Sequence, residues 1–265
     1  MGRRIALGVS YDGGRYSGWQ QQSSASSIQA TLERALSSIA DERVELICAG
    51  RTDAGVHACR QVVHFDTQAV RPSSAWLLGS NKELPPDISV SWSCPVPDHF
   101  HARYSALLRT YRYVILNRSA RSALTGGRAL VFHHPLQVEA MRAGAQWLIG
   151  EHDFDAFRSS HCQSRSPVRR LDGLEVTRRG DWVTIEISAN AFLHHMVRNI
   201  VGLLVAIGQG RAPPERAREQ LASRRRSTGA ATAAAHGLYL WQVQYPSQFG
   251  LPADSAIIGV PGEDA

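Results

Sequence analysis

The sequence predicts an α+β fold in which two similar halves share an extended antiparallel sheet with a central cleft. Short segments with alternating apolar residues recur along the chain and predict strands. Amphipathic helices combine with these strands in the order β-α-β-β-α-β, which is the split βαβ or ferredoxin-like unit. The 265 residues suffice for two such units. We expect an N-terminal half over residues 1–100, a C-terminal half over 101–246 and a flexible tail over 247–265.

The first half begins with a strand over Arg4–Ser10, where isoleucine, leucine and valine alternate with other residues. A helix over 27–40 follows, because its isoleucine and leucine residues recur on one face and serines precede it as possible caps. The remaining elements of this half are expected to be strands over 44–49, 61–66 and 88–94 and a helix over 72–83.

The second half shows a similar alternation without an obvious sequence repeat. Strands are expected over 108–117 and 237–245, and a hairpin over 173–178 and 182–188 turns between them. From residue 247 onward the periodicity is lost, and Pro, Gly and acidic residues accumulate as in a loose tail. The helices of this half are expected over 138–149, 192–207 and 213–222.

The charge of the chain suits an anionic partner. The net charge is +6 and the pI about 9.5, which favours binding to RNA phosphates. Almost all of the positive charge is arginine, with Lys82 as the only lysine. Phosphate recognition and genome composition both explain this excess, and we favour composition because alanine is also abundant. A cluster of three arginines at 224–226 fits a solvated helix end as well as a phosphate contact.

Composition also excludes several classes of protein. No apolar run approaches the ~18 to 20 residues of a membrane helix, and the N-terminus resembles a strand more than a signal peptide. We therefore expect a cytoplasmic protein without a membrane partner. The four cysteines form no C-x-x-C pair and match no zinc pattern, so we expect free thiols and no metal site.

The segment AGRTDAGVHA, residues 49–58, is the strongest candidate for a catalytic loop. It follows a predicted strand, and its two glycines permit sharp turns and close approach by a ligand. Arg51 and Asp53 project to the same side of an extended backbone, where the guanidinium favours an ionised carboxylate. Such a carboxylate can act as a nucleophile or stabilise a cation, and His57 is a further candidate. The competing interpretation is a surface turn in which Asp53 caps its own backbone.

Two later segments supply further candidates. The strand over 108–117 places Tyr111 and Tyr113 on one face, and a tyrosine there can stack on a base or take part in proton transfer. Packing against the sheet is the commoner role of such a tyrosine. Arg198 stands within an apolar helix, and a buried charge needs an anionic partner such as Asp53 or a phosphate.

The loop YDGGRYSGWQQQ, residues 11–22, is glycine-rich, polar and aromatic. We interpret it, including its tyrosine and tryptophan, as a flexible RNA-binding surface that contains Arg15 and Gln20, with an ordinary long loop as the alternative. His194 and His195 are neighbours in sequence and are expected to face different directions. We therefore interpret them as structural or RNA-contacting residues and not as a metal-binding pair.

Six segments together resemble the TruA family of tRNA pseudouridine synthases. They are YDGGRYSGWQQQ, AGRTDAGVHA, LPPDI, FHARYSALLRTYRYVI, FLHHMVRNIVG and GLYLWQVQYP, in this order over residues 11–246. GRTDAGVHA is highly specific, whereas LPPDI alone is weak. Ala231 and Ala234 stand where the family often has prolines, and LLGSNKELPPDI is less regular than usual. Neither departure touches the candidate catalytic residues.

The resemblance implies an enzyme that converts uridines at tRNA positions 38, 39 and 40 to pseudouridine without a cofactor. It also implies a homodimer that grips the anticodon stem-loop of tRNA. The family's catalytic aspartate falls on Asp53, its active-site tyrosine on Tyr111, and its active-site arginines on Arg51 and Arg198. Further RNA contacts are expected at Arg15, Gln20 and Arg103.

Three other functions compete with this one. The chain could be a non-catalytic RNA-binding homologue, a pseudouridine synthase that acts on another RNA, or a hydrolytic N-glycosidase. The lack of a second carboxylate near Asp53 in the sequence weighs against the glycosidase. The sequence leaves open whether Asp53 adds to C1′, adds to the base or acts at C2′.

Overall fold

The computed structural model describes residues 2–23, 25–160, 162–225, 231–252 and 260–261. Its strands are β1 (Arg3–Tyr11), β2 (Ile47–Cys48), β3 (His57–Thr67), β4 (Ile88–Val96), β5 (Leu108–Asn117), β6 (Leu130–Phe132), β7 (Gly150–Asp153), β8 (Val168–Arg179), β9 (Trp182–Ala189) and β10 (Leu238–Gln244). Its helices are α1 (Ile28–Ala40), α2 (Ser80–Glu83), α3 (Val138–Gln146), α4 (Met196–Gly208) and α5 (Arg216–Ser223). This mixture confirms the predicted α+β class.

The chain divides into two compact units. Among the described residues, the first comprises 2–108 and 239–252, and the second comprises 109–238 and 260–261. The last strand thus belongs to the first unit, although the sequence placed it in the second half. The physical reason is pairing, because β10 runs parallel to β3 of the first unit. Periodicity reveals a strand but does not reveal its partner.

The first unit has the strand order β4-β1-β3-β10, with β2 against β3. β1 is antiparallel to both of its neighbours, and β2 is antiparallel to β3. The element order β1-α1-β2-β3-α2-β4 is the predicted β-α-β-β-α-β. A helical turn over Ala75–Gly79 directly precedes α2, in agreement with the predicted helix over 72–83. The parallel pairing of β10 departs from the expected antiparallel sheet.

Helix α1 begins and ends at residues with suitable local chemistry. The Ser27 hydroxyl oxygen accepts the Ala30 N–H at 3.3 Å and caps the first turn. Asp41 adopts a left-handed conformation with φ of 56° and ends the helix. The predicted apolar face is buried, with Leu32 at 0% exposure. The sequence therefore located this helix correctly.

The second unit has the strand order β5-β9-β8-β7, with β6 beside β5. The four strands of the main path are antiparallel, and β6 is parallel to β5. The predicted hairpin is the β8–β9 pair, which is longer than expected. β6 and β7 were not predicted because three or four residues are too few to show an alternation.

Helix α4 begins at Met196, four residues later than predicted. His195 has a φ of 63°, in the left-handed region that a non-glycine residue rarely adopts, so the helix cannot extend through it. The same turn brings the rings of His194 and His195 to a centroid distance of 4.1 Å. The expectation that these two side chains face different directions is therefore wrong.

The segment before β10 packs on α4 from Ala231 onward. The Ala233 N–H donates to Arg198 O at 3.0 Å. A Cβ on Gly202 would lie 2.0 Å from Ala231 O, so this close approach requires glycine in α4. Contacts with α4 thus order this segment although it lacks the prolines common in the TruA family. The cluster at 224–226 includes Arg226, which lies outside the described residues.

The predicted tail is packed at its start. Residues Ser247–Phe249 form a helical turn, and the Phe249 ring lies edge-on to Phe100 with centroids 5.0 Å apart. Residues 253–259 and 262–265 of the tail lie outside the described residues. None of the four cysteines, all of which are described, forms a disulfide. No helix in the described ranges has the length and apolar character needed to cross a bilayer.

His64 is a buried neutral base in the first unit. It lies on β3 at 2% exposure, and its Nδ1 accepts the Ala102 N–H at 3.1 Å. Burial, with smaller contributions from the charges of Arg4 and His101, lowers the pKa of His64 from 6.5 to about 4. The folded protein therefore resists protonation of this ring.

We expect the free energy of unfolding to fall as the pH is lowered from 6.5 to about 4. Over this range the unfolded chain binds a proton at His64 that the folded chain does not bind, which costs up to ~1.4 kcal/mol per pH unit. Denaturant unfolding of the wild type and His64→Gln between pH 7 and 5 measures the effect, since glutamine can still accept the Ala102 N–H. Equal pH slopes for the two proteins would show that His64 is not responsible.

Candidate active site

The loop over residues 49–58 is anchored to β3 at its start. The Ala49 N–H donates to Val62 O at 2.8 Å. Gln61, which is fully buried, donates through Nε2 to Gly50 O at 2.7 Å and accepts the Gly50 N–H at 3.4 Å. These bonds fix the backbone immediately before Arg51.

Thr52 fixes the centre of the loop. Its Oγ1 shares a hydrogen bond of 2.8 Å with Tyr11 Oη, and its carbonyl accepts the Trp19 N–H at 3.0 Å. Thr52 is buried, whereas Arg51 before it is exposed and Asp53 after it is half-buried. This alternation agrees with the predicted projection of Arg51 and Asp53 to the same side.

Arg51 does not form an ion pair with Asp53. Within the described ranges, the Arg51 side chain makes neither an ion pair nor a hydrogen bond. An exposed guanidinium gains little from an ion pair in water, which explains why proximity in sequence does not produce one. The Asp53 carbonyl accepts the Val56 N–H at 3.1 Å and closes a turn at the carboxylate.

Two glycines of the loop over residues 11–22 touch the backbone of the Asp53 loop. Gly18 has a φ of 95°, and a Cβ there would lie 2.7 Å from Thr52 O. A Cβ on Gly13 would lie 2.0 Å from Val56 O. Both approaches require glycine. The loop over residues 11–22 therefore supports the Asp53 loop, residues 49–58.

Tyr16 and Trp19 are buried, so the prediction that they form an RNA-binding surface is wrong. The Tyr16 hydroxyl donates to Asp87 Oδ1 at 2.8 Å. Burial, followed by this hydrogen bond, raises the pKa of Tyr16 to about 12, so the hydroxyl keeps its proton at neutral pH. Arg15 and Gln20 are exposed, as an RNA contact requires.

Asp87 is a supporting residue that the sequence did not reveal. Its side chain accepts the hydrogen bond from the Tyr16 hydroxyl, and its backbone carbonyl accepts the Asp12 N–H at 2.9 Å. The segment LPPDI therefore holds the loop over residues 11–22 in place. Its presence among the matching segments was the only sequence signal, and it gave no role to the aspartate.

His57 supports the Asp53 loop from within the first unit. It is 2% exposed, and its Nδ1 accepts the Gly13 N–H at 3.1 Å. Its ring stacks on Tyr239 with centroids 4.8 Å apart. Asp12 Oδ1 also lies 3.1 Å from Nδ1, so the ring contacts the loop over residues 11–22 at a second position. These contacts give His57 a structural role.

The second unit carries Tyr111 and Tyr113 on β5, two residues apart and therefore on one face, as predicted. Tyr111 is 8% exposed, and its ring lies edge-on to Phe192 with centroids 5.1 Å apart. Tyr113 is fully buried, and its hydroxyl donates to Ala234 O at 2.9 Å. Burial raises the pKa of Tyr113, which fits a purely structural hydroxyl.

Arg198 is half-buried on α4 of the second unit. Its Nε donates to Ala233 O at 2.8 Å, which is a neutral partner and not the anionic partner that the sequence predicted. Its positive charge also opposes the rise that burial causes in the pKa of Tyr113. Arg198 and Tyr113 donate to the carbonyls of two adjacent residues, Ala233 and Ala234, so both side chains contact the same short segment.

Arg103 lies on the surface of the first unit. Its guanidinium carbon is 5.5 Å from the ring centre of Tyr104, which is 75% exposed. A cation beside an accessible aromatic ring is the combination that proteins use to bind unpaired RNA bases and their phosphates. This arrangement is compatible with the expected RNA contact.

Comparison with known proteins identifies the family. The family model for tRNA pseudouridine synthase matches residues 8–105 and 145–246, which make up more than half of the chain. This chain belongs to the tRNA pseudouridine synthase family. The match includes both the Asp53 loop and the helix that carries Arg198, and Tyr111 lies between the two matched ranges.

Curated relatives of this tRNA pseudouridine synthase are similar over nearly their whole length. The tRNA pseudouridine synthase A of Nitrosococcus oceani is 55% identical over 94% of this chain and 96% of its own. The enzyme of the same name from Methylococcus capsulatus is 53% identical over 98% of this chain and 96% of its own. The one from Vibrio cholerae serotype O1 is 55% identical over 94% of this chain and 94% of its own.

A solved structure titled as the archaeal box H/ACA sRNP Nop10-Cbf5 complex aligns at 12% identity over 76% of this chain and 44% of that chain, with a TM-score of 0.37. That likeness is too low to support a conclusion. Membership of the family is therefore shown by sequence similarity.

Proposed function

We propose that this tRNA pseudouridine synthase isomerises uridine to pseudouridine at positions 38, 39 and 40 of the tRNA anticodon stem-loop, with Asp53 as the catalytic nucleophile. The main support is the way the Asp53 loop is held. Buried contacts of Thr52 and Gln61 fix the backbone on one side of Asp53, while its own side chain stays half-buried beside the exposed Arg51. A fixed and accessible carboxylate is what nucleophilic catalysis requires.

The chemistry follows from one carboxylate and a retained leaving group. A uridine within a stem must be extruded before its sugar can be attacked. Breaking the bond from N1 to C1′ develops positive charge at C1′, which Asp53 can stabilise or trap. The uracil anion rotates in the site and rejoins C1′ through C5. C5 then loses its proton and N1 gains one, so the product is an isomer of the substrate.

The other candidates receive roles from the family resemblance. Tyr111 takes part in removal of the C5 proton, since a tyrosine hydroxyl can transfer protons. Arg51 and Arg198 act in the active site on the anionic RNA, since guanidinium groups match phosphate geometry. The proposed outer RNA contacts are Arg15, Gln20 and Arg103.

The proposed assembly is a cytoplasmic homodimer that needs no cofactor. Its support is the resemblance to the TruA family, together with a reaction that is an isomerisation and consumes no second substrate. One chain has a mass of 29.1 kDa, and light scattering of the purified protein is expected to give twice this mass. Activity is expected to survive treatment with a metal chelator.

Tritium release separates the proposed function from its competitors. Incubation with tRNA labelled at C5 of uridine is expected to release tritium to water without free uracil. If no tritium is released, the result would indicate a non-catalytic RNA-binding protein. Release of uracil would indicate a hydrolytic N-glycosidase and would contradict the proposal.

Gly18→Ala is expected to lower kcat about 10- to 100-fold, because a catalytic group displaced by ~1 Å loses activity on this scale. The new Cβ would lie 2.7 Å from Thr52 O, so the Asp53 loop must shift. Gly210→Ala is the matched control, since Gly210 also has a positive φ, of 73°, but open space around it. Single-turnover assays on both variants measure the difference. Equal losses would mean that backbone strain, and not displacement of the loop, limits activity.

A further inference from the structure

A pocket in the second unit opens at the C-terminal end of β5. It has a volume of about 390 Å³, and its polar lining consists of Asn117, Arg118, Ser119, His133 and Arg178. This lining belongs wholly to the described part of the chain and contains no carboxylate. Asn117 is six residues from Tyr111 on the same strand, which corresponds to ~20 Å at the rise of a β-strand. The pocket is therefore separate from the proposed site of catalysis.

Asn117 organises the floor of the pocket. Its Nδ2 donates to Phe132 O at 3.0 Å and to His134 O at 2.7 Å. Its Oδ1 accepts two hydrogen bonds, from the Leu136 N–H at 3.2 Å and from Arg178 Nη2 at 2.7 Å. With four hydrogen bonds at 8% exposure, this amide holds the pocket in one shape.

Two guanidinium groups line the pocket with neutral partners. Arg178 Nη2 also donates to Leu136 O at 3.1 Å, while Arg118 donates to Ala120 O at 2.8 Å and to Arg121 O at 3.2 Å. Neither arginine forms an ion pair within the described ranges. Backbone carbonyls thus orient these guanidinium groups without neutralising them, and the pocket carries net positive charge.

Two smaller side chains add hydrogen-bonding capacity. His133 Nδ1 lies 3.0 Å from Ser119 O, and because a carbonyl only accepts, Nδ1 carries the proton. The Ser119 hydroxyl makes no hydrogen bond to any described residue and can donate to a ligand. The pocket therefore offers both charge and neutral donors to an anion.

We propose that this pocket binds a backbone phosphate of tRNA and anchors the RNA away from the reacting uridine. Arginines that are oriented but not neutralised suit a phosphate oxygen pair, and the volume accommodates the group. The identity of the RNA as tRNA rests on the proposed function. A phosphate ~20 Å from Tyr111 along a strand belongs to a nucleotide other than the one that is isomerised. The pocket therefore contributes to binding and not to the chemical step.

The test uses two pocket variants and one matched control. Ser119→Asp places a negative charge in the pocket without removing a side-chain contact, and Arg178→Gln removes one positive charge. Arg211→Gln is the control, because Arg211 is an exposed arginine of the same unit outside the pocket. Circular dichroism verifies that each variant folds. The affinity for unmodified tRNA is then measured against salt concentration, and kcat and KM are measured for pseudouridine formation.

We expect Ser119→Asp to weaken tRNA binding and raise KM at least ~10-fold, with kcat at saturating tRNA unchanged. We expect Arg178→Gln to lower the slope of log affinity against log salt by ~0.7 to 0.9, as for loss of one phosphate contact. Arg211→Gln is expected to change the affinity less than either. Equal affinities for all three variants would overturn the proposal.

Inorganic phosphate distinguishes the source of the anion. If it raises the melting temperature of the wild type but not of Ser119→Asp, while tRNA affinity is the same in both, the pocket binds a free phosphate compound and the assignment to RNA is wrong. The binding assay does not depend on catalysis. A wild type that binds tRNA with the expected ranking of variants but forms no pseudouridine would contradict the proposed function and support the anchoring pocket.

Discussion

Asp53→Asn is expected to lower kcat for pseudouridine formation at least ~10³-fold, because it removes the only group proposed to stabilise or trap C1′. Asparagine has nearly the same size as aspartate but carries no charge. The bonds that hold the loop involve the backbone and the side chains of Thr52 and Gln61, so the loop keeps its position. Affinity for tRNA is therefore expected to survive, and a filter-binding assay beside a single-turnover assay measures both quantities.

Asp41→Asn is the matched control for the same chemical change. Asp41 is exposed at the end of α1 in a left-handed conformation that asparagine also tolerates. The Asp41→Asn enzyme is expected to be as active as the wild type. Turnover by a clean Asp53→Asn preparation within about tenfold of the control would rule out the nucleophilic role of Asp53, since removal of a nucleophile costs far more than this.

Tyr111→Phe is expected to lower kcat by ~10² to 10⁴, which is the usual contribution of a positioned acid or base. The substitution removes only the hydroxyl, and the ring contact with Phe192 remains. If the hydroxyl takes part in removal of the C5 proton, cleavage at C1′ is less affected than tritium release. Rapid-quench kinetics with C5-labelled tRNA would therefore show a slower release step with little change in tRNA affinity.

Tyr113→Phe is the control for Tyr111→Phe on the same face of β5. It removes the hydrogen bond from Tyr113 to Ala234 O, so it is expected to reduce stability by ~1 to 3 kcal/mol and leave kcat unchanged. The two variants thus separate a loss of catalysis from a loss of folding. An unimpaired Tyr111→Phe enzyme would remove the hydroxyl of Tyr111 from the mechanism.

Local periodicity predicted most elements of the fold, and tertiary contacts decided the rest. The limits of β5 agree with the prediction, and α1 differs by one residue at its start, because each has a clear apolar pattern. The partner of β10 could not be predicted, since pairing in a sheet depends on residues far apart in sequence. The start of α4 was missed because the left-handed turn at His195 leaves no mark in the apolar pattern.

The candidate site was predictable in its residues but not in its supports. The alternation of exposure around Thr52 follows from local geometry, so the outward position of Arg51 and Asp53 could be expected. The bond between Tyr11 and Thr52 joins residues 41 positions apart, and no periodicity reveals it. Aromatic residues in a glycine-rich loop resembled an RNA surface because sequence does not report burial, and Trp19 proved to be 1% exposed.

The most direct test of the central claim is a map of pseudouridine, at single-nucleotide resolution, in tRNA from cells that lack this gene. The same cells are then supplied with either the wild type or Asp53→Asn. The account predicts loss of pseudouridine at positions 38, 39 and 40 in the deletion strain, recovery with the wild type and no recovery with Asp53→Asn. Recovery with Asp53→Asn, or an unchanged set of pseudouridines in the deletion strain, would contradict it.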